Sequence, residues 1–457
     1  MENEHFLDLN MLFKNREQII KNGQTPKLKK VRKEIFDVLT YALNAVDPYN
    51  AVKSKFDGKS IVFRSETIDL SDFENIYLIG FGKASVGMAQ AVCDSIDVKN
   101  GAVVTNDPDN KVQNNHISTY IGSHPIPDQK SIDGTEKILD IVKKCKENDL
   151  LIVLISGGGS ALLSKPRVGL NDLQNTTDLL LKSGANINEI NTIRKHLSFV
   201  KGGQLAAYAK CTIISLIVSD IIGDPIEFIA SGPTYPDSTT YTDAQNILKK
   251  YKLWMKLPSS VRKIIEDGIK GKIPETPKRD DPVFDDVFNF VVANNEIACR
   301  AAKNKAEELG YKTMLLTTSL DGEAKDTGKY LAEKATSYLT DAKKMVFISG
   351  GETTVTIRGS GKGGRNQEMV LGSIEELANK DVVFSSFATD GIDGMSDAAG
   401  AIADAYTLMR AQKKDLDPNR FLDENNSYEF FKNLDDLFVT GPTGTNVMDI
   451  QILVKIR

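Results

Sequence analysis

Runs of consecutive apolar residues that stop at glycine constrain this chain most. Ile76-Tyr77-Leu78-Ile79 leads into Gly80-Phe81-Gly82-Lys83, Leu150 to Ile155 ends in Ser156-Gly157-Gly158-Gly159-Ser160, and Met345 to Ile348 ends in Ser349-Gly350-Gly351-Glu352-Thr353. A strand with no polar side must be covered on both faces, as in a parallel sheet between helices. The intervening segments supply those helices. Ile35, Val38, Leu39, Ala42, Leu43 and Val46 recur at helical spacing, and small residues fill Ala84 to Val92 before a new strand at Ala102-Val103-Val104. The alternation continues through a helix near Ile132 to Cys145 and a strand from Ile213 to Val218. The pattern predicts an α/β fold, Rossmann-like, with a mostly parallel sheet and helices on both faces. Ligands of such sheets gather outside the carboxyl ends of the strands, where these glycine turns fall.

At 457 residues the chain exceeds what one core usually supports, so two domains are expected. Pro274, Pro277 and the run Lys278-Arg279-Asp280-Asp281 interrupt the pattern. They place a linker at 261–284, between a Rossmann-like domain at 29–260 and a second α/β domain at 285–457. Residues 1–28 read as a peripheral extension. In the second domain, strands are expected at Phe288 to Val292, Lys312 to Thr317, Met345 to Ile348, Val382 to Phe387 and Ile450 to Val454. A formal net charge of −5 offers no global field for nucleic acid or an anionic membrane, so anion binding must be local. Cys93, Cys145, Cys211 and Cys299 are scattered without a zinc-ligand spacing, which suits a reducing cytoplasm. Met1-Glu2-Asn3-Glu4-His5 has no basic leader character and no later apolar run approaches a membrane span, so the chain is expected to be neither secreted nor membrane-embedded.

Both Ser-Gly-Gly turns are expected to bind anions, because without Cβ atoms successive N–H groups can converge on an oxyanion. The expected substrate- and phosphate-binding groups are Gly82, Ser156, Gly157, Gly158, Gly159 and Ser160 in the first half. In the second they are Gly350, Gly351 and Glu352, with Gly363, Gly364, Asn366, Gln367 and Glu368 around Arg365, after the loop Gly359-Ser360-Gly361-Lys362. Lys83 opens a helix, where an ammonium can neutralise a phosphate. The basic stretch Asn191-Thr192-Ile193-Arg194-Lys195-His196, followed by Lys201-Gly202-Gly203, adds Arg194 and Lys201, while His196 reads as structural. Asp220, Asp390 and Asp393 follow apolar strands, where carboxylates hold magnesium, accept a hydroxyl proton or, most commonly, cap a helix. Thr440-Gly441-Pro442-Thr443-Gly444-Thr445-Asn446 forms a further glycine and hydroxyl loop. Cations and amides for equatorial oxygens, carboxylates for a divalent ion and one to orient a nucleophile make up the inventory of phosphoryl transfer.

Nine segments occur in an order that resembles the glycerate 2-kinase family, whose C-terminal portion is called the MOFRL domain. They are Gly80-Phe81-Gly82-Lys83-Ala84, Ser123-His124-Pro125-Ile126-Pro127-Asp128, Ser156-Gly157-Gly158-Gly159-Ser160-Ala161-Leu162, Lys201-Gly202-Gly203, Ser219-Asp220, Ser231-Gly232-Pro233-Thr234, Ser349-Gly350-Gly351-Glu352-Thr353, Gly363-Gly364-Arg365-Asn366-Gln367-Glu368 and Thr389-Asp390-Gly391-Ile392-Asp393-Gly394. The resemblance runs from about residue 30 to the end. It implies a phosphotransferase that uses ATP and Mg2+ to phosphorylate D-glycerate at the 2-hydroxyl, giving 2-phosphoglycerate. It also implies a two-domain α/β protein with a MOFRL-type C-terminal domain and an active site in the interdomain cleft. The family's motif lysine falls on Lys83 and its motif arginine on Arg365. The expected catalytic groups are then Lys83, Arg365, Asp220 and Asp390, with Asp220, Asp390 or Asp393 holding the metal. The expected partner is a small molecule, with no nucleic acid or membrane, and a homodimer is one of the open assembly states.

Two other functions compete. An NAD(P)-dependent hydroxypyruvate reductase would use the β-turn-α-β opening and Asp107, but Ser85 stands where a dinucleotide fingerprint needs its third glycine. A non-catalytic sugar-phosphate or nucleotide binder would be stabilised by ligand without making product.

Overall fold

A computed structural model describes residues 12–339, 342 and 344–456; the first eleven positions of the expected extension, Met1 to His5 among them, lie outside the described residues. The chain divides into two compact units, 51–219 with 224–292, and 12–50 with 220–223 and 293–456.

The first unit opens with a two-stranded antiparallel ribbon, β1 (Ser60–Val62) and β2 (Thr67–Asp69). Its main sheet contains β3 (Ile76–Phe81), β4 (Asn100–Thr105), β5 (Ile117–Ile121), β6 (Leu150–Ile155), β7 (Thr212–Val218) and β8 (Val287–Ala293), in the order β5-β4-β3-β6-β7-β8. The pairs β5/β4, β4/β3, β3/β6 and β6/β7 are parallel. Every residue of β6 is buried, as its unbroken apolar run requires. The chain runs outward from β3 through β4 to β5, then returns to lay β6 on the other side of β3. The gap between the carboxyl ends of β3 and β6 is therefore the topological switch point of the sheet.

Helices Leu170–Lys182, Ile187–His196, Tyr241–Lys250 and Ser259–Ile269 share a satellite core that includes Leu180, Ile190, Ile193, Leu248, Val261 and Ile265. The expected linker is thus partly a packed helix: Gly268 lies so close to the Tyr241 ring that a Cβ there would overlap it. The expected strand at Phe288 to Val292 is also reassigned. It is β8, and it extends the first sheet beside β7.

The second unit contains β9 (Lys312–Leu320), β10 (Lys344–Gly351), β11 (Val382–Ala388), β12 (Gly400–Asp404), β13 (Leu437–Phe438) and β14 (Asp449–Ile456), ordered β13-β12-β11-β14-β10-β9. Only β9 and β10 among its paired strands are parallel; β14 runs antiparallel between β10 and β11, so this sheet is mixed. Helices Ala324–Ser337 and Arg365–Leu377 contribute Leu331, Met369 and Ile374 to its core.

Residues 12–50 belong with this second sheet, and the expected division at its N-terminal end moves accordingly. Phe13, read as part of a peripheral tail, is 2% exposed and packs on Phe36, Phe387 and Phe438 with ring centroids 4.8, 5.6 and 6.0 Å away. The leading helix spans Pro26–Ala45, started by Thr25, whose hydroxyl accepts the Leu28 N–H, and by Pro26 in its first turn. It carries Arg32 into the interior. There the guanidinium donates to Asp404 at 2.9 and 2.7 Å and to Asp436 at 2.6 Å, while Arg410 pairs with the far side of Asp436. A buried guanidinium removed from two carboxylates leaves uncompensated charge. Arg32→Met is expected to cost about 3–5 kcal/mol in urea unfolding; a loss under about 1 kcal/mol, the scale of an exposed pair, would refute this anchoring role.

Candidate active site

The switch point is built by two turns bonded to each other. Gly82, at φ 126°, takes the chain sharply off β3, and Lys83 N–H donates to Gly157 O at 2.9 Å while Ala84 N–H donates to Ser156 Oγ at 3.1 Å. A Cβ on Gly82 would overlap Ser156 Oγ and stand 2.6 Å from Ser156 O. After β6, Gly158 adopts φ 83°, and Gly159 packs against Phe81 and Ala230. The N–H groups of Gly157, Gly158 and Ser160 have no acceptor among the described residues. Beside these amides at the strand ends stand the exposed Lys83, whose Cγ would lie 3.3 Å from a Cβ on Gly158, and the half-buried Ser160.

Two more cations belong to this unit. Lys201 is buried, donating to Ser160 O and Leu163 O at 2.7 Å each, so it ties down the far side of the glycine turn. Burial, and then Arg194, push its ammonium down to about 7. Arg194, on the helix Ile187–His196, is half-buried without a carboxylate partner among the described residues, and burial lowers its pKa. Ser231, left without a role in the sequence reading, shares a hydrogen bond with Ser160 at 2.9 Å and donates to Asn191 at 3.2 Å. Its Ser-Gly-Pro-Thr segment was the available signal. Lys195 and His196 are structural, as expected for the histidine. Lys195 pairs with Glu227 at 2.7 Å and Asp237 at 3.1 Å, and both His196 ring nitrogens face acceptors, Thr192 O and Glu275.

Arg365 starts the helix Arg365–Leu377 in the second unit and is held by Asp449 at 2.5 and 2.9 Å and by Glu352 at 2.9 Å. Burial alone would lower its pKa, but these carboxylates hold it above the usual guanidinium value. Asp449 escaped the sequence reading; its only signal was an acid opening the final apolar strand. Burial raises the Glu352 pKa first; Arg365 opposes, and Asp449, Asp220 and Asp390 add to the rise. Asp449, Glu352 and Asp393 therefore act on the guanidinium, while Asp220 and Asp390 act on Glu352 beside it. Among the described residues no three metal-ligand side chains converge into a finished ion site.

Several expected site groups have structural duties instead. Gly350 and Gly351 lie inside β10, paired with Ile450 and Asp449 of β14, and Glu352 N–H donates to Leu320 O at 2.8 Å. A Cβ at Gly350 would overlap Asn295, and one at Gly351 would overlap Leu320, so the second Ser-Gly-Gly is a close strand approach rather than an open anion turn. Asp393, expected as a metal ligand, is buried and accepts Asn366 N–H and Nδ2 at 3.1 and 3.3 Å and Gln367 N–H and Nε2 at 2.9 Å each. It caps the Arg365 helix. Burial, eased by those bonds and reinforced by Asp449, raises it to about 6. Gly364 is the only residue that admits this carboxylate, and Gly363 lies equally close to Ser427. Asn366, Gln367 and Glu368 are all buried: Asn366 accepts the Ser386 hydroxyl at 2.5 Å, and Glu368 accepts Asn425 Nδ2 at 3.2 Å. Asn425 in turn accepts the N–H groups of Arg358 and Gly359 at 2.7 and 2.9 Å, so the glycine loop is fastened from below. Asp107 is exposed and accepts the Asp109 N–H at 3.0 Å, while Ser85 Oγ donates to Gly82 O at 2.7 Å, filling the place of a third fingerprint glycine.

Open amides and an exposed lysine stand at the switch point of a parallel sheet, which defines an α/β protein of the class whose ligands gather at that point. Residues 34–266 match a domain of unknown function (DUF4147), and residues 345–449 match the MOFRL family. The glycerate 2-kinase of Pyrococcus horikoshii is 45% identical over 90% of this chain and 94% of its own length. The D-glycerate 2-kinase of Thermotoga maritima is 37% identical over 92% of this chain and 98% of its own. The crystal structure of glycerate kinase from Thermotoga maritima superposes with a TM-score of 0.84 at 36% identity, covering 94% of this chain and all of that one. The chain belongs to the glycerate 2-kinase family.

The bonded turns predict a contrast between two glycines. Gly82→Ala is expected to cost about 1–3 kcal/mol by forcing the turns apart. Gly87→Ala, where a Cβ meets nothing within 4 Å, should be neutral or stabilising by up to about 1 kcal/mol. Thermal melting of the two variants checks this, and equal melting temperatures would count against the bonded-turn account.

Proposed function

We propose that this chain phosphorylates D-glycerate at its 2-hydroxyl, using ATP and Mg2+ and releasing 2-phosphoglycerate. The observation that carries the reading is the 45% identity to a glycerate 2-kinase over 90% of the chain, joined to a switch point furnished with cations and open amides. The Gly157, Gly158 and Ser160 amides and Lys83 receive phosphoryl oxygens. Their dipoles and charge are already oriented, so little reorganisation is needed as charge builds on the migrating group. Arg194 offers a flat pair of donors suited to a carboxylate or phosphate edge. Lys201 keeps the turn in shape through the carbonyls it holds. Of the five N–H donors a guanidinium possesses, Arg365 spends three on Asp449 and Glu352, and the remaining ones serve an anion.

The negative charge gathered at Asp220, Glu352 and Asp390 suits a divalent ion, which would offset the burial and the carboxylate repulsion that together raise Glu352. Since these side chains do not converge into a complete shell, nucleotide phosphate oxygens would supply the remaining ligands. Such an ion supplies charge neutralisation between the phosphates. The four thiols fit a reducing compartment, and no described helix is long and apolar enough to cross a membrane.

Purified protein with ATP, Mg2+ and D-glycerate, followed by phosphorus NMR, should yield product phosphorylated on the 2-oxygen. Lys83→Ala and Arg365→Ala should each lower turnover by about 10²-fold or more. Full activity in either variant would remove that residue from the mechanism. Hydroxypyruvate-dependent NADH oxidation without ATP turnover would replace the kinase reading with the reductase.

A further inference from the structure

We propose that His124 is the proton acceptor for the substrate hydroxyl. The role rests on the kinase reading above, and it gives a chemical duty to the Ser123-His124-Pro125 segment. The imidazole lies against the first glycine turn: a methyl built on Gly158 would stand 3.1 Å from His124 Cδ2 and 3.3 Å from Lys83 Cγ. His124 and Lys83 therefore flank the same glycine, beside the open Gly157, Gly158 and Ser160 amides.

The ring is also unoccupied. Neither of its nitrogens has a partner among the described residues, whereas the buried His196 has both nitrogens engaged. Lys83 is the charged group that faces it across the turn, and Asp128 of its own segment is turned away to the Ser131 N–H and hydroxyl at 2.9 and 3.2 Å. Partial burial, and then Lys83, hold the imidazole below its ordinary pKa, which favours the neutral form that accepts a proton.

The step balances. The 2-hydroxyl O–H bond breaks as its proton passes to an imidazole nitrogen, the freed oxygen forms the new O–P bond to the γ-phosphoryl group, and the bridging P–O bond to ADP breaks. Lys83, which flanks Gly158 beside His124, faces the phosphoryl oxygens. A carboxylate in the same role, such as Asp390, would leave His124 without effect on the pH profile.

The test compares kcat and kcat/KM for D-glycerate across pH in the wild type and His124→Gln. Titration of the nucleotide is common to both and cancels. The wild type should lose kcat/KM as pH falls through the imidazole range, since protonated His124 cannot accept a second proton. His124→Gln should lose on the order of 10²-fold or more in kcat at neutral pH, with a smaller change in KM and no acidic limb of that origin. Because no hydrogen bond among the described residues depends on the imidazole, the variant's melting temperature should match the wild type. An active variant that keeps the wild-type kcat and acidic limb overturns the proposal, as does one changed in KM alone. A wild type with no ATP-dependent product from D-glycerate would overturn the kinase reading and this role with it.

Discussion

The hydrogen bond from Lys83 N–H to Gly157 O is the contact on which the first unit's chemistry depends. It joins the turns that leave two neighbouring parallel strands, and it can form only because Gly82 swings the chain through φ 126° with no side chain facing Ser156. With the two turns locked together, Lys83 stands beside the amides that follow β6. Lys201 fixes the opposite edge of the same turn by donating to Ser160 O and Leu163 O. The shape of this turn is a property of main chain held on both sides, with very little left to rotamer choice.

Cations sort themselves in this protein by the company they keep. Arg32 lies between Asp404 and Asp436, and Lys195 between Glu227 and Asp237; each is buried with enough opposite charge to neutralise it. Such groups hold the fold. Among the described residues the half-buried Arg194 and the buried Lys201 meet no carboxylate, Lys201 being held by two carbonyls instead, and burial lowers both pKa values. A cation with no carboxylate beside it gains more from an arriving anion than a paired one does. Arg365 stands between the classes, paired on one side by Asp449 and Glu352 and charged under all ordinary conditions.

Much of the first sheet was legible in the sequence because β3, β6 and β7 are nearly continuous apolar runs, broken only at Gly80, Thr212 and Ser215, and the glycine turn after β6 stands where the switch point requires one. The second Ser-Gly-Gly misled for a physical reason. A missing Cβ serves equally to bare an amide for a ligand or to let Leu320 and Asn295 come close, and the neighbour that decides lies 30 to 55 positions away in the chain. Asp393 posed the same ambiguity between cap and metal ligand, resolved only when the helix beginning at Arg365 brings two backbone N–H groups onto its oxygens. Phe13 could not be placed from its polar surroundings, because its partners Phe387 and Phe438 come from strands near the other end of the chain. The proline-rich stretch hid the Ser259–Ile269 helix, whose buried face meets Tyr241 and Ile190 rather than the sheet.

Asp393 fills the amino end of the Arg365 helix from within, so that helix's partial positive charge is already spent. On the proposed kinase reading, the two halves of the protein reach for negative charge by different means. The turn after β6 relies on peptide groups, which survive most substitutions around them as long as glycine is kept. The second unit relies on a single guanidinium with no backbone substitute in reserve. Over long divergence, the first strategy leaves lining side chains free to drift toward new substrates, whereas the second makes one codon irreplaceable.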